Sequence, residues 1–203
     1  MLCATTATVA ATTIVTGLST GSCTAALRAL TDMGLLKAQA RRGRTSARTI
    51  VDQQELLKAY AIAAASLTPE LSLRVGATWR DAVSGVIALG RTWDAAGVVW
   101  AATGAVAASV VAPLLTSVAS ADVFVDAQTP AELEVTASQV GLRPMDGGRL
   151  LLRPFPTITA RKLARIMDGL RIVPWPRVYV DLRNLGVRGE EAAEHLREVT
   201  HGR

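Results

Sequence analysis

The chain has 203 residues, 22 Lys/Arg against 17 Asp/Glu, a formal net charge of +5 and a 50% hydrophobic composition. That much apolar material supports a full core and excludes a disordered or fibrous chain, and the length suits one large domain or two small ones. Two cysteines, Cys3 and Cys23, are too few for a disulfide framework or a zinc cluster, so no metal and no cofactor is expected.

The charge is unevenly placed. Residues 1 to 60 hold seven Lys/Arg against Asp32, Asp52 and Glu55, so four of the five net positive charges fall in the first third. Between Lys37 and Arg48 there are five basic residues and no acidic one. Such a local excess points to nucleic acid more strongly than a high isoelectric point alone. The N-terminus lacks a basic segment ahead of an apolar core, so a secretory signal is not expected and the cytoplasm is the expected compartment.

In chain order, residues 4 to 14 and 20 to 33 read as two helices broken by Thr16-Gly17-Leu18-Ser19, the spacing of a helix-turn-helix. Ser19 or Thr20 caps the second helix, Gly34 stops it, and Leu27, Leu30 and Met33 form an apolar stripe expected against the first. A strand-like 35 to 40, the tip Arg41-Arg42-Gly43-Arg44 and a return strand 45 to 51 add a wing. Asp52 caps a helix from Gln53 to about Ser66 whose apolar face is Leu56, Leu57, Tyr60 and Ala64. Thr68-Pro69 marks the linker, giving domains 1–66 and 67–203.

In the second domain a helix is expected at 80 to 89, followed by strand 98 to 102, helix 104 to 112, strand 122 to 126 and helix 130 to 138. A hairpin-like pair, 141 to 144 and 150 to 153, is joined by Asp146-Gly147-Gly148. Helices near 158 to 168 and 190 to 199 finish the chain, and residues 177 to 182 alternate like a strand although Pro174 and Pro176 suit a helix start. The fold class is α+β. Gly97 to Val118 is uncharged over 22 residues, long enough for a membrane span, but its Ala, Val, Gly and Ser content and Pro113 favour a soluble core.

Several stretches together resemble the AbiEi-type antitoxins encoded beside nucleotidyltransferase-like toxins. They are the winged helix; Val51-Asp52 through Leu56-Leu57 to Tyr60-Ala61; Trp100-Ala101-Ala102-Thr103-Gly104 with Ala107-Ala108; and Pro176, Tyr179, Asp181-Leu182 to Ala192-Ala193-Glu194-His195-Leu196-Arg197. The resemblance implies an N-terminal winged helix-turn-helix that represses its own operon and a C-terminal α+β domain that neutralises the toxin. It favours helix over strand for 174 to 184. The helix such domains place ahead of the helix-turn-helix is short or missing, which leaves dimerisation, and residue 1 as the original start, open.

On this reading the partners are operator duplex DNA and the cognate toxin, with no membrane. Ser19, Thr20, Ser22, Thr24 and Arg28 are the residues of the second helix able to reach a duplex, and Arg41, Arg42, Arg44 and Arg48 are the wing's phosphate contacts. The resemblance also admits an alternative, an atypical serine protein kinase that phosphorylates the toxin with ATP and Mg²⁺. For that chemistry Arg161 and Arg165, at i and i+4 on one helix face, would cradle phosphate, and Lys162, Asp168 and Asp181 would be catalytic. No Walker A motif or kinase glycine-rich loop accompanies them. A third reading is a transcriptional regulator whose C-terminal domain senses a small molecule.

Overall fold

The computed structural model describes residues 6–39, 47–65, 71–115 and 117–201. The chain is mixed α+β and divides into two compact units, Met1–Ala63 and Ala64–Arg203, each with its own sheet.

The first unit opens with strand β1 (Thr6–Ala7), then helix α1 (Val9–Thr16) and helix α2 (Thr20–Asp32). Gly17 stops α1 in the left-handed region, φ 69°, where a side chain would be strained, and its N–H returns to the Thr13 carbonyl. Ser19 then caps α2, its Oγ accepting from the Ser22 N–H at 3.1 Å. Strands β2 (Leu36–Ala38) and β3 (Arg48–Ile50) follow and form, with β1, an antiparallel sheet in the order β1-β3-β2. A small core joins helix to sheet: Leu27 of α2 packs with Ala7 and Leu36, flanked by Val9, Leu30 and Ile50. The apolar stripe expected on α2 is therefore shorter than the sequence suggests, because Met33 lies 64% exposed beyond its end. The first helix is shorter too, since Thr6 and Ala7 pair with Thr49 and Arg48 as a strand. Helix α3 (Gln53–Ala65) buries Leu56, Leu57, Ala61 and Ala64; Tyr60 is exposed instead. The wing tip, with Arg41, Arg42 and Arg44, lies outside the described residues.

The second unit runs β4 (Leu73–Val75), α4 (Ala82–Ala95), β5 (Trp100–Thr103), α5 (Gly104–Val111), β6 (Ala121–Val125), α6 (Pro130–Ser138), β7 (Leu150–Pro154), α7 (Ile158–Lys162), β8 (Arg165–Met167), β9 (Leu170–Ile172), α8 (Trp175–Arg183) and α9 (Val187–His201). Its six strands are ordered β4-β7-β6-β5-β9-β8. The pairs β5/β9 and β6/β7 are parallel and the other three are antiparallel. The interior strands β5, β6 and β7 are almost wholly buried, as their near-continuous apolar runs require. Helices α5, α8 and α9 pack together. Trp93, Phe124, Leu133, Leu150, Leu152, Leu182 and Leu196 are fully buried. Gly90 sits mid-helix because the Trp100 ring occupies the space a Cβ would need, 2.0 Å from that position.

Two expectations change. The hairpin of 141 to 144 with 150 to 153 does not form: β7 is an interior strand between β4 and β6, and Pro144 makes only a single bridge, to Val75. The helix near 158 to 168 ends at Lys162. After it, Asp168 (φ 49°) and Gly169 (φ 82°) make a two-residue turn that pairs Met167 with Leu170, and burial of Leu170 and Ile172 fixes β9 beside β5. Residues 175 to 183 are helix, with Pro176 in the first turn. Within the described residues no helix is long and apolar enough to cross a membrane; over residues 97–115 the chain forms a strand and an eight-residue helix.

Candidate functional site

On α2, Thr20, Ser22, Thr24 and Arg28 are exposed along with the cap Ser19. Two of the hydroxyls turn to one another, Ser19 Oγ and Ser22 Oγ lying 2.9 Å apart, and Thr24 Oγ1 donates to the Thr20 carbonyl at 2.8 Å. Among the described residues Arg28 makes a single long ion pair, 3.7 Å to Asp32, with its side chain 81% exposed, so its guanidinium can swing outward. The surface is polar, and the side chains facing solvent have short-range partners they can exchange for an external acceptor.

Arg48 is different. It stands on β3, the central strand of the small sheet, opposite Ala7 on one side and Ala38 on the other. Residues two apart on a strand share a face, so its stem runs on the side where Ile50 meets the core. Its Nε and Nη1 are buried with no hydrogen-bond partner among the described residues.

In the second unit the residues proposed from sequence do not gather. Arg161 on α7 pairs with Asp126 at 2.8 Å. Lys162 is exposed at the end of the same helix, while Arg165 is exposed on β8, so the expected i, i+4 basic face does not exist. Asp168 is an exposed turn residue. Asp181, on α8, is 3% exposed.

Asp181 instead anchors a network that the sequence reading missed. Its Oδ2 accepts from Thr103 Oγ1 at 2.7 Å and from Arg177 Nε at 3.0 Å, and its Oδ1 accepts from Arg177 Nη2 at 2.6 Å. Arg153 Nη2 lies 3.6 Å from the same Oδ1 and donates to Asp122 Oδ2 at 3.1 Å. Both guanidinium groups approach the Phe124 ring, at 4.8 Å for Arg153 and 5.4 Å for Arg177. Two carboxylates and two guanidiniums balance in charge, and the network ties the end of β5, the start of β6, β7 and α8 together. Burial pushes the Asp122 carboxyl above the usual carboxylate range, with Arg153 pulling the other way. With both its oxygens engaged, Asp181 acts as a clamp between α8 and the end of β5. Signals for the network were present: Arg177 and Asp181 at i, i+4, and single charges inside the apolar runs Ala121–Val125 and Leu150–Pro154.

A second polar group joins α8 to α9. Tyr179 Oη donates to Glu194 Oε1 at 2.9 Å, and Arg197 Nε donates to Glu194 Oε2 at 2.7 Å. Burial raises the Glu194 carboxyl, but the hydrogen bonds from Arg197 and Tyr179 outweigh it and leave the group below its ordinary value. Within the described residues no group of three His, Cys, Asp or Glu could hold a metal ion, and Cys23 is a buried free thiol. Set against family models, curated proteins and solved structures, the chain finds no match.

Proposed function

We propose that this chain is a DNA-binding antitoxin. Its first unit acts as a winged helix-turn-helix on operator DNA and represses its own operon, and its second unit neutralises a nucleotidyltransferase-like toxin by binding it. The observation that carries the DNA-binding half is the combination of α2, exposed and polar along Ser19, Thr20, Ser22, Thr24 and Arg28, with a β2–β3 hairpin whose sequence concentrates five basic residues between Lys37 and Arg48. Duplex DNA carries a negative charge every ~1.7 Å of its axis, and such a hairpin beside a helix is a common way to meet it.

For the second unit, support comes from the ordered sequence elements that resemble those of AbiEi-type antitoxins, which fall on β5, α5, α8 and α9. We favour neutralisation by binding over phosphorylation because Asp181 is sequestered and Lys162 has no carboxylate partner among the described residues.

The test is a fluorescence-anisotropy titration of the full chain on the duplex immediately upstream of its own reading frame, across salt concentrations. Replacing Arg41, Arg42 and Arg44 by Gln should flatten the slope of log K against log[salt] by roughly 2 to 3 units. An unchanged slope rejects the wing as the contact, and no binding by the wild type rejects the proposal. Co-purification with the product of the adjacent gene tests the antitoxin half.

A further inference from the structure

We infer that Arg48 is a preset phosphate clamp at the base of the wing, a site for one backbone phosphate; this rests on the DNA-binding reading above. Three arginines among the described residues carry buried nitrogens without a hydrogen-bond partner: Arg48, Arg153 and Arg171. Arg153 and Arg171 are nevertheless charge-compensated, by Asp122 and Asp181 in one case and Asp94 in the other. Arg48 has no carboxylate partner among the described residues, and both its Nε and Nη1 are sunk.

A desolvated cation without an anion opposes folding, since water would hydrate it better than this setting does. A folded protein that keeps one stores an unmet demand for negative charge. The position says where that charge arrives. Arg48 rises from the central strand between Ala7 and Ala38, on the helix-facing side of the sheet, at the end of the core formed by Leu27, Leu36 and Ile50. Arg48 as a whole is only half-buried, so part of the residue still reaches solvent although these two nitrogens do not. The group is thus held by its stem between the wing strands and the side carrying α2, with part of its water already removed. A phosphate docking there displaces little further hydration and immobilises little further side chain, unlike one meeting Arg28, whose side chain is 81% exposed.

This predicts a residue whose removal helps folding and harms binding. In the full chain, Arg48→Leu, which retains an apolar stem, should melt at or above the wild-type temperature. On the upstream duplex at fixed salt it should bind about 10- to 100-fold more weakly, the range for a hydrogen bond to a charged group. Its salt slope should fall by about 1 unit. Arg48→Lys, which keeps a charge, should retain the slope. Inorganic phosphate at millimolar concentration provides a readout independent of the duplex: it should raise the melting temperature of the wild type more than that of Arg48→Leu. A melting temperature well below wild type would show the guanidinium to be structural and overturn the assignment. So would an unchanged salt slope or equal stabilisation of the two proteins by phosphate. Wild-type protein that binds no duplex but shows the Arg48-dependent phosphate effect would reject the DNA-binding reading while retaining the anion clamp.

Discussion

Changing Asp181 to Ala distinguishes a clamp from a catalytic residue. The substitution leaves Arg177, whose side chain is 3% exposed, without its two charge-assisted hydrogen bonds, and leaves the buried Thr103 hydroxyl without its acceptor. Arg153 keeps only Asp122, whose own ionisation burial opposes. Removing one member of a buried ion pair costs about 3 to 5 kcal/mol, because the surviving charge stays buried. For a unit spanning Ala64–Arg203 each kcal/mol lowers the melting temperature by roughly 3 °C, so the expected loss is about 10 to 15 °C in differential scanning calorimetry. The double variant Arg177→Met with Asp181→Leu removes both charges and should recover at least half of that loss, since apolar replacements of buried pairs are often close to neutral. A single variant melting within about 2 °C of wild type would refute the clamp, as would a double variant no better than the single one.

Three further outcomes are expected. Gly90→Ala forces a methyl into the Trp100 ring, 2.0 Å from its nearest atom, and should lower stability by about 1 to 3 kcal/mol in urea unfolding; a neutral result would mean that the ring moves freely. Val106→Asp, at a fully buried position, should cost several kcal/mol, whereas Leu114→Asp, 47% exposed, should change the urea midpoint little. Glu194 has a folded pKa below its unfolded value near ~4.3, so its contribution is present above that pH and is lost as pH falls through the folded pKa. Glu194→Gln should therefore flatten the decline in stability below about pH 5, and an identical pH profile would dismiss the Tyr179–Glu194–Arg197 group as a contributor.

Local signals read best where capping, period and burial agree. Helix α6 runs from Pro130 to Ser138 as expected, because Thr129 caps it, Pro130 fits its first turn and Leu133 and Ala137 share its buried face. Its neighbour β6 is similarly plain, a short β-branched and aromatic run between polar ends. After Lys162 no local pattern marks the end of the expected helix except Asp168-Gly169, a dipeptide whose two positive φ angles make a tight hairpin. Strands β4, β8 and β9 have three residues each and take their conformation from partners distant in sequence, so their periodicity carries little. The candidate site divides the same way. Exposed α2 residues follow from helix phase alone, but the engagement of Asp181 with Thr103 and Arg153 depends on a sheet order that no local pattern contains.

That dependence has a kinetic side. Thr103 and the carboxylate that satisfies it are 78 residues apart, and the edge strand at Leu73 waits for Leu152. At ribosomal speeds of roughly 5 to 20 residues per second, about 4 to 16 s separate the emergence of Thr103 from that of Asp181. Throughout that interval the nascent second unit exposes an apolar sheet whose polar keystone has not been made, while β1, β2 and β3 of the first unit have all emerged and can pair. Chaperone engagement or proteolysis during synthesis should therefore fall on the second unit, and a ribosome stalled before α8 should yield chains whose first unit is native and whose second is not.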